Sequence, residues 1–328
     1  MVETYDVILA TYNGELYLND QLRSIERQSI PPSHVYIADD GSSDRTISII
    51  LEWINSTSIS ATYIPSLQYR LGSVHNFERL LSVSTANYVM LSDQDDIWDF
   101  DKAINLLSSI KNLEYKYGAD IPLLAYSDLR VVDSMGDVIS SSFFRFQHLY
   151  PYSNDWLSIA FQNVVTGCSC IVNRKCIQSS LPFPDEVIMH DWWLALIASS
   201  AGKTIYLPKT TINYRQHANN VVGARSFSRL LFERWSLFAS NSLIDTYIGA
   251  PILQLKACSS RVMINDLHLC SYINDLTSIN PLKRILAALR LRLTKHGISR
   301  TILFYLLLLF WKPATTNYNY YYDYSTSQ

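Results

Sequence analysis

Several features that mark particular protein classes are absent from this sequence or scarce in it. Its 328 residues include five cysteines and no Cys-x-x-Cys pair, so it indicates neither a disulfide framework nor a structural zinc site. The 27 Lys and Arg residues are balanced by 29 Asp and Glu residues, which argues against a protein that wraps nucleic acid. The first residues lack a basic segment and a cleavage site, so we expect no signal peptide and a cytoplasmic location.

Short apolar runs alternate with helical patterns in the first hundred residues. The runs cover residues 7–10, 35–38 and 88–91, and helical patterns lie between them. This succession predicts an α/β fold in which helical crossovers connect the strands of a parallel sheet. Residues 164–172 predict a later strand that contains Gly167, where the missing side chain would allow a close approach.

The pattern becomes helical after Gly223. We therefore predict an α/β domain over residues 1–225 and a mostly helical region over residues 226–328, with a disordered tail. Residues 281–312 combine basic side chains with an apolar block at 302–311, which is about half the length needed to span a bilayer. The combination predicts a helix that lies on an anionic membrane surface. A helix docked on the protein's own core is the alternative.

Polar side chains follow the apolar runs where the strands are predicted to end. Asn13 follows the first run, Asp39 follows the second, and the sequence Asp-Gln-Asp-Asp at residues 93–96 follows the third. Because ligands of parallel sheets bind at the carboxyl ends of the strands, we expect these loops to converge. Clustered carboxylates need a compensating cation, and Mg²⁺ or Mn²⁺ prefers oxygen ligands. A solvated acidic turn is the alternative for the cluster considered alone.

Two later segments carry residue types that suit group transfer. Asp191 lies beside His190 at the start of a predicted helix, where partial burial suits a general base. A helix cap is the alternative for a lone carboxylate at this position. Arg215 and His217 lie in one polar loop, where the guanidinium suits a donor diphosphate and the imidazole suits its metal ion. Ordinary solvated polarity is the alternative for this loop.

Five motifs occur together in a fixed order. They are Ala10-Thr11-Tyr12-Asn13-Gly14, Asp39-Asp40-Gly41-Ser42-Ser43-Asp44, Ser92-Asp93-Gln94-Asp95-Asp96-Ile97-Trp98, His190-Asp191-Trp192-Trp193 and Arg215-Gln216-His217. Over residues 3–222 this order and spacing resemble the family 2 inverting glycosyltransferases. The resemblance is greatest to the bacterial branch that builds O-antigen and capsule repeat units and includes rhamnosyltransferases.

The resemblance implies a GT-A fold, which is a Rossmann-like nucleotide-sugar-binding domain. Thr11, Asn13 and Asp39 would line the nucleoside pocket. Asp93 would face the ribose or the metal ion, and Asp95 would be the chief ligand of Mn²⁺ or Mg²⁺.

The resemblance also implies an inverting reaction at the acceptor. Asp191 matches the family's catalytic base, which deprotonates the acceptor hydroxyl as it attacks from the face opposite the diphosphate. Trp192 and Trp193 would flank sugar rings, although packing is expected of one of them. Gly167 would let the acceptor pass close to the backbone.

The substrates follow from the same resemblance. The Trp-Trp and Arg-Gln-His contexts favour dTDP-rhamnose as the donor, with UDP-hexoses such as UDP-galactose or UDP-glucose next. The acceptor would be a polyprenyl-diphosphate-linked saccharide at the inner face of the cell membrane. Residues 74–77 read Val-His-Asn-Phe where many relatives carry an Arg-Asn pair, which leaves the nucleotide contacts on that side open.

Two other functions remain alternatives at this point. A nucleotidyltransferase also joins an α/β sheet to a carboxylate-bound metal, but it needs a glycine- and basic-rich phosphate loop, which residues 11–15 lack. A non-catalytic sugar-binding or scaffold protein of a polysaccharide assembly complex would be favoured by loss of Asp95 or Asp191. Both carboxylates are present.

Overall fold

The computed structural model describes four stretches of the chain, residues 4–151, 155–217, 244–263 and 266–313. Nine strands within these stretches form one sheet. They are β1 (Asp6–Thr11), β2 (His34–Asp39), β3 (Ala61–Ile64), β4 (Tyr88–Ser92), β5 (Ile97–Trp98), β6 (Leu123–Val132), β7 (Val138–Ser140), β8 (Cys170–Asn173) and β9 (Lys203–Arg215).

The described helices cover both faces of the sheet and form the C-terminal region. Those before residue 217 are α1 (Leu18–Glu26), α2 (Thr46–Ser56), α3 (Gly72–Val83), α4 (Lys102–Tyr117), α5 (Phe143–Gln147), α6 (Trp156–Phe161), α7 (Arg174–Ser180) and α8 (His190–Ala201). Those after it are α9 (Ala250–Arg261), which follows one π-helical turn at Asp245–Gly249, α10 (Leu267–Asp275), α11 (Pro281–Arg290) and α12 (Ile298–Phe310).

The sheet is parallel in its first half and mixed in its second. The strand order is β3-β2-β1-β4-β8-β6-β9-β5, and β7 pairs with β6. Strands β3, β2, β1 and β4 run parallel, as the alternating sequence pattern predicts. Strand β8 runs antiparallel to both of its neighbours, β4 and β6, and β6 pairs in parallel with β9. The predicted α/β fold is confirmed.

Helices cover both faces of the sheet because the central strands are apolar on both sides. Along β1, Ile8 belongs to a hydrophobic cluster that also contains Phe77 of α3 and Trp193 of α8. Val7 and Leu9, the neighbours of Ile8, belong to a second cluster on the opposite face with side chains of α1, α2 and α4. The sheet is therefore the middle layer of three and holds its loops on a rigid base.

The predicted strand over residues 164–172 is wrong for most of its length. Gly167–Ser169 form a 3₁₀ turn, and the strand β8 begins only at Cys170. The backbone N–H of Gly167 donates to Asp191 Oδ2 at 2.9 Å, and Ser169 N donates to Thr166 O at 2.9 Å. These bonds engage groups that a strand would use for pairing.

The C-terminal helices pack on the first of the two hydrophobic clusters. Leu303, Phe304, Leu307 and Leu308 of α12 are buried there, so the docked alternative is right for this face of the helix. Among the described residues, no helix combines the length and the apolar character needed to cross a membrane. The predicted boundary near residue 225 and the predicted disordered tail lie outside the described residues.

Candidate active site

Gln94 connects the loop after β4 to the loop after β1. Its Oε1 accepts a hydrogen bond from Tyr12 N at 2.8 Å, and its Nε2 donates to Tyr12 O at 2.9 Å. A Cβ atom at Gly14 would lie only 2.3 Å from Gln94 Oε1, so this approach requires glycine. The predicted convergence of these two loops is confirmed.

The loops after β1 and β2 are also joined. Thr11 Oγ1 donates to Asp39 Oδ2 at 2.9 Å, and Ser42 N donates to Asp39 Oδ1 at 2.7 Å. Asn13, which has a left-handed backbone (φ 48°), accepts a hydrogen bond from Ser43 N at 2.9 Å. Thr11 and Asp39 are buried, whereas Asn13 is exposed. The three residues predicted to contact the nucleoside thus lie together, and Asn13 offers the most accessible side chain.

A guanidinium that the motifs did not indicate lies on this side of the sheet. Arg70 Cζ is 3.6 Å from the centre of the Tyr12 ring, and Arg70 Nε is 3.7 Å from Asp40 Oδ2. Asp40 also accepts hydrogen bonds from the backbone of Leu71 and Gly72, at 2.7 and 2.9 Å. Asp40 therefore fixes the start of α3, and Asp39 forms the turn that precedes α2.

The loop after β4 concentrates negative charge. Carboxylate oxygens of Asp93 and Asp96 lie within 4.8 Å of each other and of Cys168 Sγ. Burial, and then the charges of Asp95 and Asp191, raises the pKa of Asp93 to about 7. Burial, and then Asp95 and Asp93, raises the pKa of Asp96 well above its usual range. These carboxylates would be stabilised as anions by a cation.

Arg215 and His217 extend from the end of β9 to the same loop. His217 Nε2 lies 2.8 Å from Asp95 Oδ2. Arg215 donates through its backbone N to Asp96 Oδ1 at 3.2 Å and through its Nε to Asp95 O at 3.0 Å. The Tyr17 ring lies 4.6 Å from the guanidinium and 4.9 Å from the imidazole. Arg215 thus holds the backbone of the acidic loop, and His217 contacts its carboxylate.

The donor set fits a hard divalent cation. Asp96 Oδ2 is buried and has no hydrogen-bond partner among the described residues, so this oxygen is left unpaired. Asp93, Asp95 and His217 are half-buried, and we call them the rim residues. Their carboxylate oxygens and the imidazole nitrogen are ligands that Mn²⁺ accepts. The soft sulfur of Cys168 is not a ligand that Mg²⁺ or Mn²⁺ prefers. We therefore regard the rim residues, and not the thiol, as the fitting set.

Asp191 lies in the first turn of α8 and is almost fully buried. Its Oδ2 accepts from Gly167 N at 2.9 Å, and its Oδ1 accepts from Trp192 N at 2.6 Å and from Asn163 Nδ2 at 3.3 Å. Burial raises the pKa of Asp191 to about 6, although these hydrogen bonds oppose the shift. A carboxylate held in place by three donors, with a pKa near neutrality, has the properties of a general base.

The three residues predicted to contact the acceptor, Gly167, Trp192 and Trp193, make contacts within the protein itself. A Cβ atom at Gly167 would lie 2.7 Å from His190 Nε2, so the close approach at this glycine is made by the imidazole. Trp193 is fully buried, and its Nε1 donates to Ser180 O at 3.0 Å; it packs in the core and presents no ring face to a sugar. Trp192 is half-buried, and its Nε1 donates to Ile159 O at 2.6 Å.

Comparison with protein families identifies the domain. Residues 6–129 match the family model described as Glycosyl transferase family 2. Over these residues the chain is similar to family 2 glycosyltransferases. The matched segment contains the loops after β1, β2 and β4, and Asp191, Arg215 and His217 lie beyond it.

The similarity to curated relatives extends over more of the chain. It is 27% identical to the dTDP-rhamnosyl transferase RfbG of Shigella flexneri over 284 residues, which are 76% of this chain and 92% of the relative. It is 23% identical to the O-antigen chain rhamnosyltransferase WbaN of Salmonella anatum over 255 residues, which are 75% of this chain and 76% of the relative. Both relatives are described as rhamnosyltransferases.

Solved structures support the same fold. The S. aureus TarS fragment 1–349 in complex with UDP superposes with a TM-score of 0.52 at 16% identity and covers 89% of this chain and 92% of its own. The mannosyltransferase PcManGT of Pyrobaculum calidifontis, in complex with GDP-Man and Mn²⁺, gives a TM-score of 0.50 at 18% identity, with 88% and 74% covered. The predicted GT-A fold with a helical C-terminal part is confirmed.

Lys102 is a further residue of the candidate site that the motifs did not indicate. It is fully buried; its Nζ donates to Cys168 O at 2.5 Å and lies 3.2 Å from the centre of the Trp98 ring. Burial lowers the pKa of Lys102 to about 7, while Cys168, Asp96 and Asp93 oppose this shift. One signal was available in the sequence, since Lys102 lies four residues before Leu106 on the apolar face of α4.

We expect Lys102→Met to destabilise the protein by about 3 kcal/mol or more. The substitution leaves the buried Cys168 carbonyl without its donor and removes the positive charge beside Asp93 and Asp96. Urea unfolding in the presence of EDTA measures the effect. Lys116→Met, at an exposed position of the same helix, is the control and should change the free energy of unfolding by less than about 0.5 kcal/mol. Equal stability of the two variants would contradict the assignment.

Proposed function

We propose that the protein transfers a sugar with inversion from a nucleotide-diphosphate donor to a hydroxyl of a lipid-diphosphate-linked glycan. The reaction would belong to the synthesis of O-antigen or another surface polysaccharide. One observation carries the proposal: the candidate base Asp191 and the acidic loop, through Asp93 and Asp96, flank the same turn, Gly167–Ser169. Asp191 is close enough to Asp93 to raise its pKa. An acid–base group and a candidate diphosphate site are thereby juxtaposed.

The proposed chemistry begins at Asp191. Its carboxylate, oriented by Gly167 N and Asn163 Nδ2, accepts the proton of the acceptor hydroxyl. The hydroxyl oxygen forms the new bond to the anomeric carbon while the bond to the diphosphate breaks on the opposite face, so the configuration inverts. A divalent ion held by Asp93, Asp95 and His217 would supply positive charge to the departing diphosphate.

The proposed donor site lies at the ends of β1, β2 and β4. Asn13 presents an exposed side chain to the nucleoside, and the buried pair Thr11 and Asp39 fixes the loop that carries it. Arg215 orients the acidic loop towards the diphosphate through its contact with Asp95 O. We favour dTDP-rhamnose as the donor because RfbG and WbaN are described as rhamnosyltransferases. UDP-galactose and UDP-glucose are next.

The proposed acceptor site lies beside α8. Trp192 is the half-buried tryptophan of the pair and is the one that we assign to an acceptor sugar. Gly167 is also assigned to this acceptor site, because its backbone N–H donates to Asp191 beside the start of α8. A polyprenyl-diphosphate-linked saccharide as the acceptor would locate the reaction at the inner face of the cell membrane, with the protein bound peripherally.

A donor panel tests the proposed activity. The purified protein would be incubated with dTDP-rhamnose, UDP-galactose or UDP-glucose and a synthetic lipid-diphosphate sugar, with Mn²⁺, with Mg²⁺ or with EDTA. We expect metal-dependent consumption of one donor and a product of inverted anomeric configuration. No consumption of any donor, together with no nucleotide binding in calorimetry, would favour a non-catalytic sugar-binding or scaffold role.

We expect Asp95→Ala to weaken metal-dependent donor binding by at least about tenfold, because it removes the proposed chief metal ligand and the partner of His217. Calorimetric titration with the nucleotide diphosphate, with and without Mn²⁺, measures this loss. The matched control is Asp120→Ala, at an exposed carboxylate that precedes β6. Unchanged Mn²⁺-dependent affinity in the Asp95 variant would refute the ligand assignment.

We expect Asp191→Asn to lower kcat by about 10² or more while donor affinity is retained, because the amide cannot accept the acceptor proton. The wild-type kcat/KM should fall below about pH 6, since protonation of Asp191 removes the base, and it should level off above that pH. Initial rates between about pH 5 and pH 8 measure both effects. Asp185→Asn, an exposed substitution before α8, should behave as wild type. Wild-type turnover by the Asp191 variant would exclude it as the base.

A further inference from the structure

Helices α11 and α12 expose large apolar side chains on the side that faces away from the core. In α11, Leu282, Leu286 and Leu289 are each more than half exposed, and their spacing of four and three residues puts them on one helix face. In α12, exposed apolar residues recur about every fourth position. They are Ile298, Ile302, Leu306, Leu309 and Phe310. We call these eight side chains the outer face.

The two helices form an antiparallel pair that is fixed to the rest of the protein. Arg284 of α11 is buried and donates to Leu308 O at 3.0 Å and to Trp311 O at 2.6 Å, at the end of α12. The inner sides of both helices belong to one hydrophobic cluster, which includes Ala288 and Phe304. Because both inner sides point to the same core, the outer face points away from it.

The stretch that carries the outer face has exposed charge of one sign. Residues 276–313 contain no Asp or Glu. Four basic side chains in this stretch are exposed, and they are Lys283, Arg290, Arg292 and Lys312. The remaining basic residues of the stretch point inwards; Arg300, for example, donates to Gln147 O at 2.7 Å. The exposed chemistry of this region is therefore apolar and cationic.

We propose that the outer face docks on the surface of an anionic lipid bilayer, with α11 and α12 lying in the plane of the headgroups. Exposed Leu, Ile and Phe side chains would enter the boundary between headgroups and acyl chains, and the basic side chains would contact lipid phosphates. Helix α12 has 13 residues and is about 20 Å long, which suits a helix lying along this boundary. The inference gives a molecular surface to the membrane location contained in the proposed function.

The docking would fix the height of the candidate base above the membrane. Phe304 of α12 packs against Phe161 of α6, with ring centres 5.2 Å apart. The carbonyl of Ile159, also in α6, accepts the hydrogen bond from Trp192 of α8. A single helix layer thus separates the outer face from the helix that carries Asp191, and an acceptor anchored in the same bilayer would be presented at a constant distance.

Vesicle flotation of the full chain tests this proposal without any donor or acceptor. The vesicles would contain phosphatidylcholine alone or phosphatidylcholine with phosphatidylglycerol. We expect wild type to bind the anionic vesicles, and the double substitution Leu286→Asp with Leu306→Asp to weaken binding at least about tenfold. The matched control is Ile104→Asp with Tyr115→Asp, at exposed apolar positions of α4, which should bind as wild type.

A second variant separates the electrostatic contribution. Lys283→Gln combined with Arg290→Gln should weaken binding to anionic vesicles by about fivefold for each charge removed, and added salt should weaken the wild type similarly. Failure of the wild type to bind anionic vesicles, or undiminished binding by the Leu286 and Leu306 double variant, would overturn the proposal. A wild-type dimer that this double variant dissociates, without vesicle binding, would assign the face to a second copy instead.

Transfer to a water-soluble acceptor distinguishes this proposal from the proposed activity. The Leu286 and Leu306 double variant should retain wild-type transfer to such an acceptor and an unchanged melting temperature while losing vesicle binding. Vesicle binding by a wild type that consumes no donor would support the docking face and refute the transferase. Loss of binding accompanied by a lowered melting temperature would count against the docking assignment, because folding would then explain it.

Discussion

Mutual repulsion among the carboxylates after β4 is the constraint around which the site is arranged. Asp93 and Asp96 are close together, and Asp95 and Asp191 add to the field at Asp93. The chain supplies a buried ammonium at Lys102, a backbone N–H from Arg215 and an imidazole from His217. Lys102 follows the cluster at the start of α4, whereas Arg215 and His217 lie more than 100 residues further along the chain. The sheet must bring together β4, α4 and β9 before the charges are tolerated, which couples the folding of the domain to the assembly of its site.

The loops on the donor side depend on one another in a similar way. Gln94 bonds both backbone groups of Tyr12, and Asn13 bonds the loop after β2. The loop that supplies the acidic residues therefore also holds the loop proposed to contact the nucleoside. A shift in one is transmitted to the other through hydrogen bonds of under 3 Å. Such mutual support keeps a site preorganised before its ligands bind.

The parts of the fold that the sequence predicted are those with a local signal. The runs around Val7, Val35 and Val89 are apolar on both faces, so their strands and the polar residues that end them were recognisable. The 3₁₀ turn at Gly167 was not, because it depends on a hydrogen bond to Asp191, 24 residues away. Lys102 was missed although its spacing to Leu106 was a local signal, because a lysine at the start of a helix usually faces solvent.

The direction of strand β8 determines where the proposed donor and acceptor sides of the site meet. The parallel strands β1, β2 and β4 all finish at one edge of the sheet, and β8, which runs the other way, starts there. Gly167 and Cys168 enter β8 beside the point where β4 delivers Asp93. The turn that binds Asp191 therefore lies beside the carboxylate of Asp93, so the proposed acceptor side and the proposed donor side of the site meet across one turn of backbone.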